Sequence, residues 1–325
     1  MKTFNVPILL IFFCRPEVTS KVFDCIRKVQ PSKLYLYQDG PRNERDLQGI
    51  MQCRDIVSNI DWDCDVKTYY QEQNVGCDPS EYIAQKWMFE QEEMGIVLED
   101  DDVVSHSFFY FCKELLEKYK DDERINMICG MNHLGKYNQT DADYFFARSG
   151  SITGWASWKR VVDTWDPNYS YFEDPYAMKC LEDVLGHRAE RTLKTWKYHK
   201  DSGKEFYETI LGASATLNHR LNIVPTKNMV ANIGVVANAT HSVASVFLLP
   251  RRTRRIFYKE IYEYDFPLKH PKYVVEDMNY TKKIWDMPGI LRQLQRIEGR
   301  IYKLFPALGQ MFSDDLKRRV DFYSK

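Results

Sequence analysis

The stretch GIVLEDDDVV, residues 95–104, decides the fold. Ile96, Val97 and Leu98 form a short apolar run, and four carboxylates follow it directly: Glu99, Asp100, Asp101 and Asp102. An apolar run of this length, with no polar alternation, fits a strand buried on both faces. Four adjacent negative charges repel one another, and no Lys or Arg stands close by in sequence to offset them. Acidic clusters at strand ends suit hard divalent cations, which take oxygen ligands.

Upstream the same strand pattern recurs, separated each time by a helical one. PILLIFF (7–13) is a second all-apolar run. In 18–29, Val18, Val22, Ile26 and Val29 fall at helical spacing. KLYLYQDG (33–40) reads as a strand, 44–60 as a helix, DVKTYYQ (65–71) as a strand and 78–93 as a helix opened by Asp78-Pro79-Ser80. This β-α alternation predicts a mainly parallel sheet flanked by helices. Ligands of such sheets bind at the carboxyl ends of the strands. Arg15, Asp39 and the acidic run therefore belong on one rim.

Downstream, 106–125 reads as a helix, MICGMN (127–132) as a strand, and GSITGWASWKRVVDTWD (150–166) as a Gly/Trp loop turning into a helix. Residues 205–220 read as a helix and 221–234 as a strand and loop. The pattern predicts a body over 1–245 and a basic, largely helical extension over 246–325. Residues 251–325 hold 17 Lys/Arg against 10 Asp/Glu, a net of +7 that leaves −8 in the rest. Within the extension, Ile284, Leu291, Leu294, Ile297, Ile301 and Leu304 recur at helical spacing among Arg292, Arg296, Arg300 and Lys303. Such a helix over 284–305 either rests on an anionic membrane surface or packs on the body; periodicity alone separates neither.

The chain has 325 residues, 44% of them hydrophobic, and a net charge of −1. That size supports a large core, and a near-neutral balance calls for no nucleic-acid partner. Eight cysteines lie far apart with no C-x-x-C, the pattern of free thiols in a reducing cytosol. The apolar start, Val6–Phe13, is interrupted by Pro7 and reads as a first strand rather than a signal peptide or a membrane span.

Three further features carry chemistry. Gly150 and Gly154 would let backbone approach a ligand, with Trp155 and Trp158 able to stack on a sugar. Glu208 follows Phe206-Tyr207, an apolar setting that suits a general base. His241 in NATHS (238–242) is a candidate metal ligand.

Taken in order, FCRPE, QDGPR, NVGC, VLEDDDVVSHSFFYFC, GWASW and IVPTKNMVANIGVVANATHS resemble glycosyltransferases of the GT-A fold. The chain is most similar to bacterial family-2-like sugar transferases and more distantly to inverting N-acetylglucosaminyltransferases. The resemblance covers about residues 5–245. It implies a GT-A-type, Rossmann-like sheet and a nucleotide-diphosphate sugar as donor. It implies Mn²⁺ or Mg²⁺ on Asp101 and His241, with Glu99 and Asp100 at the nucleotide. Arg15 would face the phosphates and Asp39 the base. Gly154 and Trp155 would belong to the loop at the donor sugar. Glu208 would be the base, with Tyr207-Glu208 standing where Trp-Asp is common, and Glu173 or Asp174 next in line. Asp102 matches a variable position, and Asp78 stands where many relatives carry a basic residue.

The reaction so implied moves a sugar to an acceptor hydroxyl with inversion, in surface-polysaccharide or glycoconjugate synthesis. The acceptor is a saccharide, a lipid-linked saccharide or a protein. The expected place is the cytoplasm, or its membrane face if the tail helix binds lipid. Two alternatives share the fold: a nucleotidyltransferase making sugar nucleotides, and a non-catalytic carbohydrate-binding relative. The former usually carries a glycine-rich phosphate loop after its first strand, where this chain has FCRPEVTS.

Overall fold

Strand β1 (Ile8–Phe12) reads ILLIF, and all five residues are buried. Successive side chains on a strand point to opposite faces, and β1 sorts that way. Ile8, Leu10 and Phe12 enter one apolar cluster, while Leu9 and Ile11 enter another on the far side of the sheet. Strands β2 (Lys33–Gln38) and β4 (Met94–Glu99) divide identically: Leu34, Leu36, Ile96 and Leu98 to the first, Tyr35, Tyr37 and Val97 to the second. Both faces are covered, so none of these runs can alternate with polar residues. The structure, a computed structural model, describes residues 4–235, 245–285, 289–311 and 313–324, with the side chains of 289–292 left out.

The parallel half is β3 (Asp65–Tyr70), β2, β1 and β4, in that spatial order. Helices α1 (Pro16–Val29), α2 (Glu44–Ser58) and α3 (Cys77–Phe89) connect them. Beyond β4 the chain forms β5 (Asp102–Val104) and α4 (His106–Lys118). Then come β6 (Ile125–Cys129), β7 (Tyr144–Ala147) and β8 (Trp155–Trp158). The large sheet is completed by β9 (Leu221–Pro225), giving the order β3-β2-β1-β4-β8-β6-β9-β7. Only β8 and β7 run antiparallel to their neighbours. A second sheet of two strands pairs β5 with β10 (Val230–Asn232).

GWASW is therefore a strand rather than the loop its glycines suggested. All four residues of β8 are buried between β4 and β6, and a run covered on both faces shows no alternation. The helix expected to follow the Gly/Trp stretch is α5 (Lys159–Val162), while strands β5 and β7, each too short to give a pattern, and helices α6 (Pro175–Leu185) and α7 (Ala189–Ser202) before α8 (Tyr207–Leu217) are additional to the sequence reading.

The remaining helices are α9 (Arg251–Arg254), α10 (Met278–Trp285), α11 (Gly289–Leu304), α12 (Pro306–Gln310) and α13 (Asp314–Ser324). Residues past 245 complete all three apolar clusters. Tyr264 and Leu268 join the first and Tyr280 the second; Val246, Tyr258, Leu316 and Tyr323 pack with Val18, Ala231 and Ile233 in the third. Among the described residues no helix is long and apolar enough to cross a membrane.

One cap shows how the late chain serves the early one. Ser105 precedes α4 but makes no capping bond from its side chain. Glu263 does so instead, accepting from the amides of His106 (3.0 Å) and Ser107 (2.7 Å). Partial burial opposes ionisation of Glu263, but those donors and the Ser107 hydroxyl hold its carboxyl below the usual range. A carboxyl lowered on folding adds stability above its unfolded pKa and loses it as pH falls through the folded value. Glu263→Ala should thus cost about 1 kcal/mol at neutral pH. Thermal melts of parent and variant should converge below about pH 4; a gap unchanged from pH 7 to pH 4 would refute the cap.

Candidate functional site

In the parallel register, Phe12 lies beside Gln38 and Ile11 beside Glu99. The next residues along each strand, Phe13–Arg15, Asp39 and Asp100, therefore emerge together at the carboxyl rim. The acidic run finds its counter-charge there. The Arg15 guanidinium bonds both Asp100 oxygens and donates from Nη2 to Asp101 Oδ2 at 3.0 Å. Its Nη1 reaches the Gly234 carbonyl at 3.4 Å. Asp101 is further held by Asn232, whose Nδ2 donates to Oδ1 at 2.8 Å, and its own carbonyl accepts from the Ile233 amide. Gly234 has to be glycine: a Cβ there would sit 1.9 Å from Asp101 Oδ2.

Asp102 does a different job. It is 1% exposed and turns away from Arg15 toward the strand β8 entry. Oδ2 accepts from the Gly154 amide (2.8 Å) and the Glu99 amide (3.3 Å), while Oδ1 has no partner among the described residues. Gly154 lies at φ +57°, in the left-handed region that favours glycine. Burial first, and then Asp101, push the Asp102 carboxyl well above its ordinary range.

Beside Arg15 the rim opens into a cavity of about 160 Å³, lined by Phe13, Tyr37, Asp39, Arg42, Asn74, Gly76, Glu81, Glu99 and Asp100 among others. Asp39 is buried and shapes this cavity by holding the 74–76 loop. Its carboxylate accepts from the amides of Gly40 (2.8 Å), Val75 (2.9 Å) and Gly76 (3.1 Å) and from Asn74 Nδ2 (2.7 Å). Arg42 spans Asp46 and lies over the Phe13 ring. Glu99 and Glu81 form an acidic floor, both carboxyls raised well above normal, first by burial and then by carboxylate neighbours.

A second, larger cavity of about 420 Å³ holds Glu208 in the first turn of α8. Its walls include Asn126, His133, Arg148, Gly150, Ser151, Arg188, Asn222 and Trp285. Glu208 is solvent-exposed, whereas Tyr207 beside it is buried. The Tyr207 phenol is pushed well up by burial, with Glu99, Glu81 and Glu208 adding to it, so the start of α8 stands within electrostatic reach of the rim acids. Glu173 and Asp174 are engaged elsewhere: Glu173 pairs with Lys200, and Asp174 caps α6 through the Tyr176 and Ala177 amides.

The structure thus groups Arg15, Asp39, Glu99 and Asp100 on one cavity and Gly150 and Glu208 on another. Trp155 lies in neither. It is 1% exposed within β8 and packs in the second apolar cluster, so its ring meets no sugar. Gly154 acts through its bond to Asp102. His241 lies outside the described residues. Among the described residues no group of three His, Cys, Asp or Glu is placed to hold a metal ion. Asp100 and Asp101 are already met by a guanidinium, which supplies the positive charge a metal would bring; this described donor set does not fit a divalent cation.

Two residues of the rim were given no role by sequence reasoning. Asn74 heads the NVGC stretch but shows no periodic signal. Glu81 had one: it sits a turn before Ala84 and Gln85, on the buried face of α3, where a charge is out of place.

No family model and no curated protein matches this chain. Among solved structures it is similar to an apo UDP-glucose pyrophosphorylase, with 10% identity and a TM-score of 0.36 over 69% of this chain and 93% of that one. It is also similar to the 4-diphosphocytidyl-2C-methyl-D-erythritol synthase of Anaerococcus prevotii, with 14% identity and a TM-score of 0.30 over 54% of this chain and 78% of that one. A third is HddC of Yersinia pseudotuberculosis, at 7% identity and a TM-score of 0.30 over 49% and 80%.

The Asp102 geometry makes a stability prediction. A carboxyl whose pKa is raised on folding weakens the fold as pH climbs above its unfolded value of about 3.9. An asparagine keeps the oxygen that accepts from Gly154 and cannot ionise. Asp102→Asn should be at least as stable as the parent at pH 7, with the advantage shrinking toward pH 4. Asp102→Ala strands the buried Gly154 amide and should lose about 1–3 kcal/mol. Equal damage from both variants in urea melts would overturn this role.

Proposed function

We propose that this protein is a glycosyltransferase that binds a nucleotide-diphosphate sugar at the rim cavity and transfers the sugar to an acceptor hydroxyl in the Glu208 cavity. The observation that carries the reading is the division of labour at the strand ends. A basic and acidic rim is built from Arg15, Asp39, Asn74 and Asp100, and a separate, larger cavity is headed by one carboxylate. In this reading the 74–76 loop takes the base and Asp100 the ribose. Arg15 and Arg42 supply positive charge at the diphosphate. Glu208 accepts the proton of the acceptor hydroxyl, whose oxygen attacks the anomeric carbon. The bond from that carbon to the diphosphate oxygen breaks, and the nucleoside diphosphate leaves. A single displacement inverts the centre. No step is assigned to a metal.

A sugar nucleotidyltransferase is the second reading, and it is the class to which the pyrophosphorylase and the synthase named above belong. A likeness at TM-scores of 0.36 and 0.30 argues for neither class. The connection after β1 favours the first reading. Only Phe13, Cys14 and Arg15 separate β1 from α1, with no glycine to cradle a triphosphate, and the Arg15 side chain is turned onto the acids.

Thermal shift with a panel of nucleoside diphosphates, triphosphates and sugar nucleotides, with and without Mn²⁺, tests the donor. Stabilisation by one diphosphate and its sugar conjugate, followed by acceptor-dependent release of that diphosphate, is the expected result. Release of pyrophosphate from a triphosphate and a sugar 1-phosphate would establish the second reading instead. Glu208→Gln should keep the donor shift and lose about 10²–10⁴-fold in turnover; a smaller loss places the base elsewhere.

A further inference from the structure

Helix α11 turns its apolar stripe to solvent. At 100° per residue, Leu294, Ile297, Ile301 and Leu304 share one face, and all four are exposed, Leu304 by 74%. Phe305 (59% exposed), Leu308 and Met311 continue the apolar surface through α12. The helix rests on the body by a different side. Tyr302 is buried beneath the Arg254 guanidinium, Glu298 pairs with Arg251, and Gly299 lies against Pro250. Arg296, Arg300 and Lys303 lie between that contact and the apolar stripe, and all three are exposed. Around the axis the order is body contact, basic row, apolar stripe.

We propose that this face lies on an anionic lipid bilayer, with α11 parallel to the surface. Soluble chains rarely expose an apolar patch of this extent without an occupant. The flanking charge says which one. A basic row beside an apolar stripe places cations at headgroup depth while the stripe enters the acyl boundary. Pairing with a second copy through the same face would bring two rows of Arg296, Arg300 and Lys303 together, which like charge disfavours. The helix cannot cross instead: 16 residues span about 24 Å against about 30 Å of hydrocarbon, and four cations lie within it. The inference is independent of the reaction assigned to the two cavities.

Sedimentation of the full chain with liposomes tests it. Vesicles of phosphatidylcholine with about 30% phosphatidylglycerol should bind the protein at least ~10-fold more tightly than pure phosphatidylcholine, and less so as salt rises. Leu294→Asp with Leu304→Asp, and separately Arg296→Gln with Arg300→Gln and Lys303→Gln, should each weaken binding about 10-fold or more while leaving the thermal melt in place, since none of these side chains is buried. Absence of vesicle binding by the parent overturns the proposal. So does a dimer in lipid-free solution that Leu294→Asp with Leu304→Asp converts to monomer, because the face would then belong to a second copy.

Discussion

The ion pair that Arg15 makes with Asp100 and Asp101 is the constraint around which the rim is arranged. Two carboxylates and a guanidinium, all mostly withdrawn from water, repay their desolvation only when geometry is good and the remaining donors and acceptors are met. Here they are: Asn232 meets Asp101 and the Gly234 carbonyl meets Arg15. Removing the guanidinium would leave two carboxylates uncompensated, a loss that typically reaches 3–5 kcal/mol in such settings, roughly. That dependence explains the small residues nearby. Gly234 permits the approach of Asp101, and Gly154 permits the turn that Asp102 fixes.

Much of the parallel half was legible. The runs ILLIF and IVL lack alternation because both faces are covered, and the helices between them show the complementary spacing. The acids at the end of the fourth strand were placed on the ligand rim by topology alone. What sequence could not show is pairing at long range. Topology puts Arg15 and Asp100 on one rim across 85 residues, but that the guanidinium closes directly on the carboxylate is not legible in either neighbourhood. Asp39 looked like a ligand contact; only coordinates show that four donors already engage it. Trp155 looked like a sugar platform because flanking glycines resemble a loop, although the segment is a short strand with no exposed face. The stripe on α11 was visible as periodicity, but its direction depended on which side Tyr302 chose.

The two cavities have no lining residue in common, and Tyr207 stands in neither. Tyr207, buried at the start of α8, feels the carboxylates of both. The acidic floor of Glu81 and Glu99 and the exposed Glu208 thus act on the same phenol, each charge disfavouring its ionisation.

The small sheet of β5 and β10 has a bearing on how the chain is made. Asn232 pairs with Asp102 in the ladder, and the Arg15 to Gly234 bond spans 219 residues. Contacts so distant in sequence form slowly, because loop closure has to precede them. During synthesis the N-terminal half can assemble β1 to β4 while Asp101 still lacks Asn232 and the Ile233 amide. A nascent chain therefore carries a half-built rim with its carboxylates partly unmet, and the final tightening waits until some 235 residues, and the cap from Glu263 after them, have left the ribosome.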